Sequence, residues 1–121
     1  MKELPCNQPT YFDVDDTLIM WNPTQEQLDS YGVDFNFFYR NGTNASGRIL
    51  PHRKHIDQLK KHAMRGHTII VWSAGGSEWA YAACVALGLE DYVHLALEKP
   101  CWAYDDKKPQ EFFETKWMED T

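Results

Sequence analysis

The run Thr68-Ile69-Ile70-Val71-Trp72 constrains this chain more than any other stretch. Its residues favour β-structure with no polar alternation, so a strand formed here has no side to offer to water. Such a strand belongs inside a parallel sheet, and parallel neighbours need crossover helices between them. The flanking sequence supplies those helices. Pro51 is placed to open one, where its missing N–H costs nothing. Ile56, Leu59, Ala63 and Met64 then recur on one face, and Gly66 is placed to end it. Ser77 is placed to cap a second helix, which runs through Trp79, Ala80, Ala83, Cys84 and Leu87 and closes at Gly88.

Shorter signals extend the pattern. Strands are predicted over Thr10–Asp15, near Tyr92–Leu97 and near Cys101–Tyr104, with a final helix over about Gln110–Trp117. Val33, Phe35, Phe37 and Tyr39 alternate before a turn at Arg40-Asn41-Gly42-Thr43, which predicts a β-hairpin over residues 33–50. Strands alternating with helices predict an α/β fold, and 121 residues, 43% of them hydrophobic, suit one domain with one core. No apolar run approaches the roughly 20 residues of a membrane span. Met1–Cys6 carries no signal-peptide core, and the three cysteines, Cys6, Cys84 and Cys101, form no close pair. The expectation is a cytoplasmic protein with reduced thiols and no membrane partner. Asn41-Gly42-Thr43 and Asn44-Ala45-Ser46 then read as turn chemistry rather than glycosylation sites.

Polar groups gather where these strands end. Asp13-Val14-Asp15-Asp16-Thr17-Leu18 closes the first, and Ser73 closes the second and opens Ala74-Gly75-Gly76. Lys99-Pro100 precedes the last strand, and Asp105-Asp106 ends it. Ligands of open α/β sheets bind outside the carboxyl ends of the strands, so these four stretches are expected to converge. Several carboxylates at one edge repel unless a hard, oxygen-preferring cation neutralises them, which points to Mg²⁺ beside a phosphate. A carboxylate can attack phosphorus, and a cation with Lys99 offsets the charge on the transferring group. Each piece alone is an ordinary turn or cap; the order of the four is the signal.

That order resembles the four motifs of the haloacid dehalogenase (HAD) superfamily of aspartate-nucleophile phosphatases: Asp-x-Asp-x-Thr, a strand ending in Ser or Thr, a Lys, and a strand ending in Asp-Asp. The resemblance covers about residues 10–106. It implies a minimal three-layer, Rossmann-like parallel sheet with residues 19–50 as a flap hairpin and no full cap domain. It also implies Mg²⁺-dependent hydrolysis of a phosphomonoester. Asp13 would be nucleophile and metal ligand, and Asp15 general acid/base, offering its carbonyl to the metal. Ser73, the amides from Ala74 onward and Lys99 would hold the phosphoryl group, and Asp105 and Asp106 would complete the metal site. Directly before Asp13 only Tyr11 and Phe12 are apolar, after Cys6-Asn7-Gln8-Pro9-Thr10, so the first strand is expected to be short. Lys107 and Lys108 also lie near the acidic pair, so order singles out Lys99. The brevity resembles small phage-type members and the phosphatase half of polynucleotide kinase-phosphatases.

Charge bears on the substrate. The net charge is −6, yet residues 48–67 hold six Lys and Arg (Arg48, Arg53, Lys54, Lys60, Lys61, Arg65) against the single acid Asp57. Such a segment is either a solvated helix face or a side for a phosphate-rich substrate, a nucleotide or nucleic-acid end; a small-metabolite phosphate is the alternative. A signalling receiver domain shares the early acidic pair, the Ser and the Lys-Pro, but needs an acceptor Asp ending a middle strand, and Asp57 falls in a helical pattern. A binding module without turnover remains an alternative, although no catalytic residue is absent. His52, His55 and His62 lack the cysteine or carboxylate partners of a zinc site. Trp72, Trp79, Trp102 and Trp117 read as core, and Trp21 as a substrate contact.

Overall fold

The computed structural model describes residues 8–115. Its organising unit is a three-stranded parallel sheet in the order β1 (Thr10–Asp13), β5 (Ile69–Ser73), β6 (Leu95–Glu98). Between β1 and β5 the chain makes a second, antiparallel sheet: β2 (Ile19–Met20) beside β4 (Asn44–Pro51), which pairs with β3 (Val33–Phe38). Three α-helices accompany them: α1 (Gln25–Tyr31), α2 (Arg53–Met64) and α3 (Ser77–Ala86). The chain is therefore α/β. Among the described residues, no helix is long and apolar enough to cross a membrane.

The core lies on one side of the parallel sheet. Phe12, Val14, Ile69 and Val71 point to that side and bury against Ile56 and Leu59 of α2 and Ala80, Ala83 and Cys84 of α3. Residues paired in register share a face. Tyr11, Asp13, Ile70, Trp72, Leu95 and Leu97 therefore share the opposite one, because Asp13 pairs with Trp72, Ile70 with Leu95 and Trp72 with Leu97. Helices α2 and α3 pack on the core side. On this opposite side Ile70 is buried and Trp72 half-buried, while Tyr11, Leu95 and Leu97 are exposed. The expected third layer is not formed by the described helices.

Several expectations need correction. Cys101–Tyr104 forms no strand but an exposed, irregular stretch. Its neighbour along the chain, expected as a helix over Gln110–Trp117, is a single 3₁₀ turn at Pro109–Glu111, with Lys116 and Trp117 outside the described residues. Pro51 ends β4 and pairs with Ile19 instead of opening α2; His52 caps that helix, its ring accepting the His55 N–H. Gly76, with φ +110°, precedes α3, so Ser77 is the first helical residue rather than its cap. Met64, assigned to the buried face of α2, is 81% exposed, and Trp102 is 85% exposed. The first strand stops at Asp13 and the third begins at Leu95.

The hairpin formed as expected, β3 and β4 pairing from Val33–Ile49 to Phe38–Asn44. Its turn uses Gly42 at φ +87°, a left-handed conformation that glycine adopts without a Cβ clash. α1 was not expected. It buries no residue, and Thr24 and Gln27 cap its start reciprocally. Arg48 of β4 holds its end, donating to the Leu28 and Gly32 carbonyls at 3.0 Å each and to Asp34 at 3.1 Å.

Candidate active site

The strands of the parallel sheet deliver three of the sequence-predicted residues to one edge. Asp13 is the last residue of β1, Ser73 the last of β5, and Lys99 follows β6 directly. The Lys99 N–H donates to the Ser73 carbonyl at 2.9 Å, which ties the ends of β5 and β6 together. From there the Lys99 side chain crosses the middle strand. Its Nζ lies 5.9 Å above the Trp72 ring and 3.5 Å from Asp13 Oδ1. Both partners remain partly solvated, so the pair is a weak contributor to stability and a ready cation for a bound anion.

The acidic loop beyond β1 is tightly wound. The Val14 carbonyl accepts N–H groups from Thr17 at 3.2 Å, Leu18 at 2.9 Å and Ile19 at 3.0 Å. Asp16 takes a left-handed φ of +59°, which a short polar side chain tolerates, and its Oδ1 accepts the Trp21 backbone N–H at 2.9 Å. Trp21 is exposed beside this loop. The start of α2 fastens the loop from the other side. The His52 N–H donates to the Leu18 carbonyl at 2.8 Å, and the buried His55 ring places Nδ1 2.5 Å from the Thr17 carbonyl. That carbonyl can only accept, so Nδ1 carries the proton. His52 stacks on His55 with ring centroids 3.4 Å apart and planes within 3°.

Asp15 sits where two elements meet. Partial burial pushes its carboxyl above the ordinary range, and the neighbouring Asp13 and Asp16 charges add to the effect. The Trp79 side chain hydrogen-bonds it and acts in the opposite sense, favouring the ionised form. Trp79 belongs to α3, and its ring packs edge-on against Phe35 of the hairpin at 5.6 Å. Reading it as core therefore captured half of its role. Gly75 lies against the same ring: a Cβ there would stand 3.1 Å from Trp79 Cδ1.

Ser73 is buried, and its Oγ accepts the Gly75 N–H at 3.0 Å, closing a side-chain turn. Ala74 and Gly75 are exposed, so the loop offers backbone to solvent at the strand edge. Asp105 and Asp106 lie in the exposed stretch after Lys99. Asp105 Oδ1 accepts the Lys107 N–H at 3.0 Å, and that bond, with Asp106, holds its carboxyl below the ordinary range. Among the described residues, no three His, Cys, Asp or Glu side chains gather into a set able to hold a metal. The arrangement thus brings Asp13, Asp15, Ser73, Ala74 and Lys99 to one edge and does not gather the Asp105–Asp106 pair with Asp13 and Asp15 into such a set.

The basic segment does not act as one surface. Arg48 is committed to α1, and Lys60 reaches over the Tyr92 ring at 5.5 Å. Lys61 and Arg65 lie toward the far end of α2, about 12 and 18 Å along its axis from Arg53 by helical rise. Arg53 and Lys54, exposed at the start of α2, stand next to the acidic loop that His52 and His55 hold. In comparisons with known proteins, the chain matches no family model, no curated protein and no solved structure.

Proposed function

We propose that the chain is a Mg²⁺-dependent phosphomonoester hydrolase with an aspartate nucleophile, a minimal HAD-like phosphatase. The observation that carries this reading is the Asp13–Lys99 pair at the carboxyl edge of the sheet, with the Asp15 carboxyl beside it pushed above its ordinary range by partial burial. In the first step an Asp13 carboxylate oxygen attacks phosphorus. The Asp13 acyl phosphate forms, the bond to the leaving oxygen breaks, and Asp15 gives that oxygen its proton. In the second, Asp15 takes a proton from a water that attacks the same phosphorus, releasing inorganic phosphate and free Asp13. Lys99 offsets the charge on the phosphoryl oxygens throughout.

Mg²⁺ takes one or two carboxylates, completing its shell with waters and substrate phosphate. Asp13 and the Asp15 backbone carbonyl fit that modest demand, and Asp105 or Asp106 would join if the stretch after Lys99 brought them near. The cation would neutralise charge on the phosphoryl group when bound.

The test is turnover of an aryl phosphate with and without EDTA, on wild type and Asp13→Asn. Wild type turns over only with the divalent cation and Asp13→Asn does not; wild-type rates in Asp13→Asn would remove the nucleophile. Asp15→Asn should cost about 10²–10⁴-fold on a poor leaving group and far less on nitrophenolate. Equal losses on both would remove Asp15 as the acid.

A further inference from the structure

The sheet face that bears Asp13 carries an aromatic pair immediately behind it. Tyr11, two residues before Asp13 on β1, is 46% exposed, and its ring lies 4.5 Å from that of Trp72 at 53°. Trp72 is Asp13's partner in register on β5 and lies under the Lys99 ammonium. Leu95 and Leu97 of β6 continue the surface and are 52% and 37% exposed. Parallel sheets ordinarily cover both faces. Here an exposed Tyr11 ring packed on a half-buried Trp72 adjoins a cation and the nucleophile, a layout that complements a ligand with an anionic end and a planar ring.

We propose that Tyr11 and Trp72 form a stacking platform for the base of a free nucleoside 5′-monophosphate whose phosphate is held beside Asp13 and Lys99. The proposal rests on the hydrolase reading for the position of the phosphate and adds the substrate class. Strand geometry sets the scale. Asp13 and Tyr11 are two residues apart on one face, about 6.6 Å along the strand. That span leaves room for a sugar between phosphate and ring and is too long for a phosphate bonded directly to an aryl group. Lys99 serves both ends, as counter-ion to the phosphate and as a cation over the Trp72 ring. Any planar base meets the same platform, so purine and pyrimidine nucleotides both bind.

The experiment compares adenosine 5′-monophosphate with ribose 5-phosphate, which share phosphate and sugar and differ only in the base. Dissociation constants are measured by equilibrium dialysis on the Asp13→Asn protein, so that turnover does not intervene, and again with Tyr11→Ala, Tyr11→Leu and Tyr11→Phe added. Stacking predicts tighter binding of the nucleotide and a loss of about tenfold in Tyr11→Ala and Tyr11→Leu. It also predicts recovery in Tyr11→Phe and less than a twofold change for ribose 5-phosphate. Tyr11→Leu keeps apolar bulk on the strand, and a melting curve for each variant separates lost binding from lost fold.

Equal affinity for the two ligands, or nucleotide binding indifferent to Tyr11, overturns the platform even if the wild type hydrolyses phosphate esters. Tyr11-dependent nucleotide binding in a protein that hydrolyses neither ligand supports the platform and removes the hydrolase. Tighter binding of a 5′-phosphorylated oligonucleotide than of the mononucleotide overturns the commitment to a free nucleotide. Self-association in sedimentation that Tyr11→Ala abolishes assigns the face to a second copy and overturns it as well.

Discussion

His55 offers the sharpest test of how this site is held together. Its ring is buried at the start of α2, stacked on His52, with Nδ1 on the Thr17 carbonyl inside the acidic loop. Two substitutions separate its parts. His55→Phe keeps a planar ring of similar size against His52 and removes the donor, which leaves the Thr17 carbonyl without it. An acceptor stripped of its partner costs about 1–3 kcal/mol. His55→Ala removes the ring as well and leaves a space between α2 and the loop. Deleting a buried aromatic side chain costs about 3–5 kcal/mol. For a chain of this length, each kcal/mol moves the melting temperature by about 4 °C. His55→Phe is therefore expected to melt about 4–12 °C below wild type, and His55→Ala about 12–20 °C below.

Thermal denaturation followed by circular dichroism reads both numbers, and phosphate release reads their consequence. The damage in His55→Phe reaches the loop that carries Asp15 and Thr17, so turnover should fall at temperatures where the variant is still folded. A His55→Phe protein that melts within about 2 °C of wild type would show that the Thr17 contact contributes nothing net. The account of the loop as fastened from α2 would then be wrong.

Trp79→Phe keeps a ring against Phe35 and removes the hydrogen bond that favours ionised Asp15, so the Asp15 carboxyl should rise further. The alkaline limb of the pH profile on a poor leaving group then moves to higher pH, because the acid stays protonated longer; an unmoved limb refutes the link. By linkage, a carboxyl held above its unfolded value of 3.8 stabilises the fold at acid pH, and that contribution is lost as pH rises through the folded value. Asp15→Asn should therefore flatten the stability profile across that range in a denaturant titration. Cys84, pushed up to about 12 chiefly by burial and then by the Glu90 charge, should resist iodoacetamide at pH 8 while exposed Cys101 is alkylated, as peptide mass mapping would show. Alkylation of both at equal rates in the folded protein contradicts the packing of α3. Gly32→Ala places a Cβ 2.4 Å from the Leu28 carbonyl oxygen, so the end of α1 must shift at a cost of about 1–3 kcal/mol, measurable in urea.

What could be read from the sequence follows from the kind of force that makes each element. β5, α2 and α3 are shaped by burial, and burial leaves a periodic trace: Ile69–Val71 without a polar break, Ile56 and Leu59 one turn apart. α1 leaves no such trace because it buries nothing. Thr24 and Gln27 hold its start and Arg48 its end, and only the Thr-x-x-Gln spacing announces it in advance. Pro51 misled for a related reason. A proline suits the first turn of a helix, but it also suits the end of a strand, and local chemistry does not choose between them.

The same division runs through the site. Asp13, Ser73 and Lys99 were legible because a parallel sheet aligns the carboxyl ends of its strands, so sequence order translates into a shared edge. The contacts that tune them were not legible. Trp79 reaches Asp15 from a helix more than sixty residues away, His55 reaches Thr17 from another, and neither spacing has a local signature. Tyr11 and Trp72 were hidden for a different reason. Both follow the strand pattern faithfully, and the unbroken apolar run Ile69–Trp72 implies that both faces are covered. The inference of burial held for Ile69, Ile70 and Val71, whereas Trp72 is only half-buried and Tyr11 beside it stands open. A sheet face that leaves the Tyr11 ring in water and Trp72 half-buried, next to an aspartate and a lysine, is under a constraint that packing alone does not impose. The open Tyr11 ring beside Asp13 and Lys99, rather than exposed apolar area alone, is the physical reason to look for a ligand there.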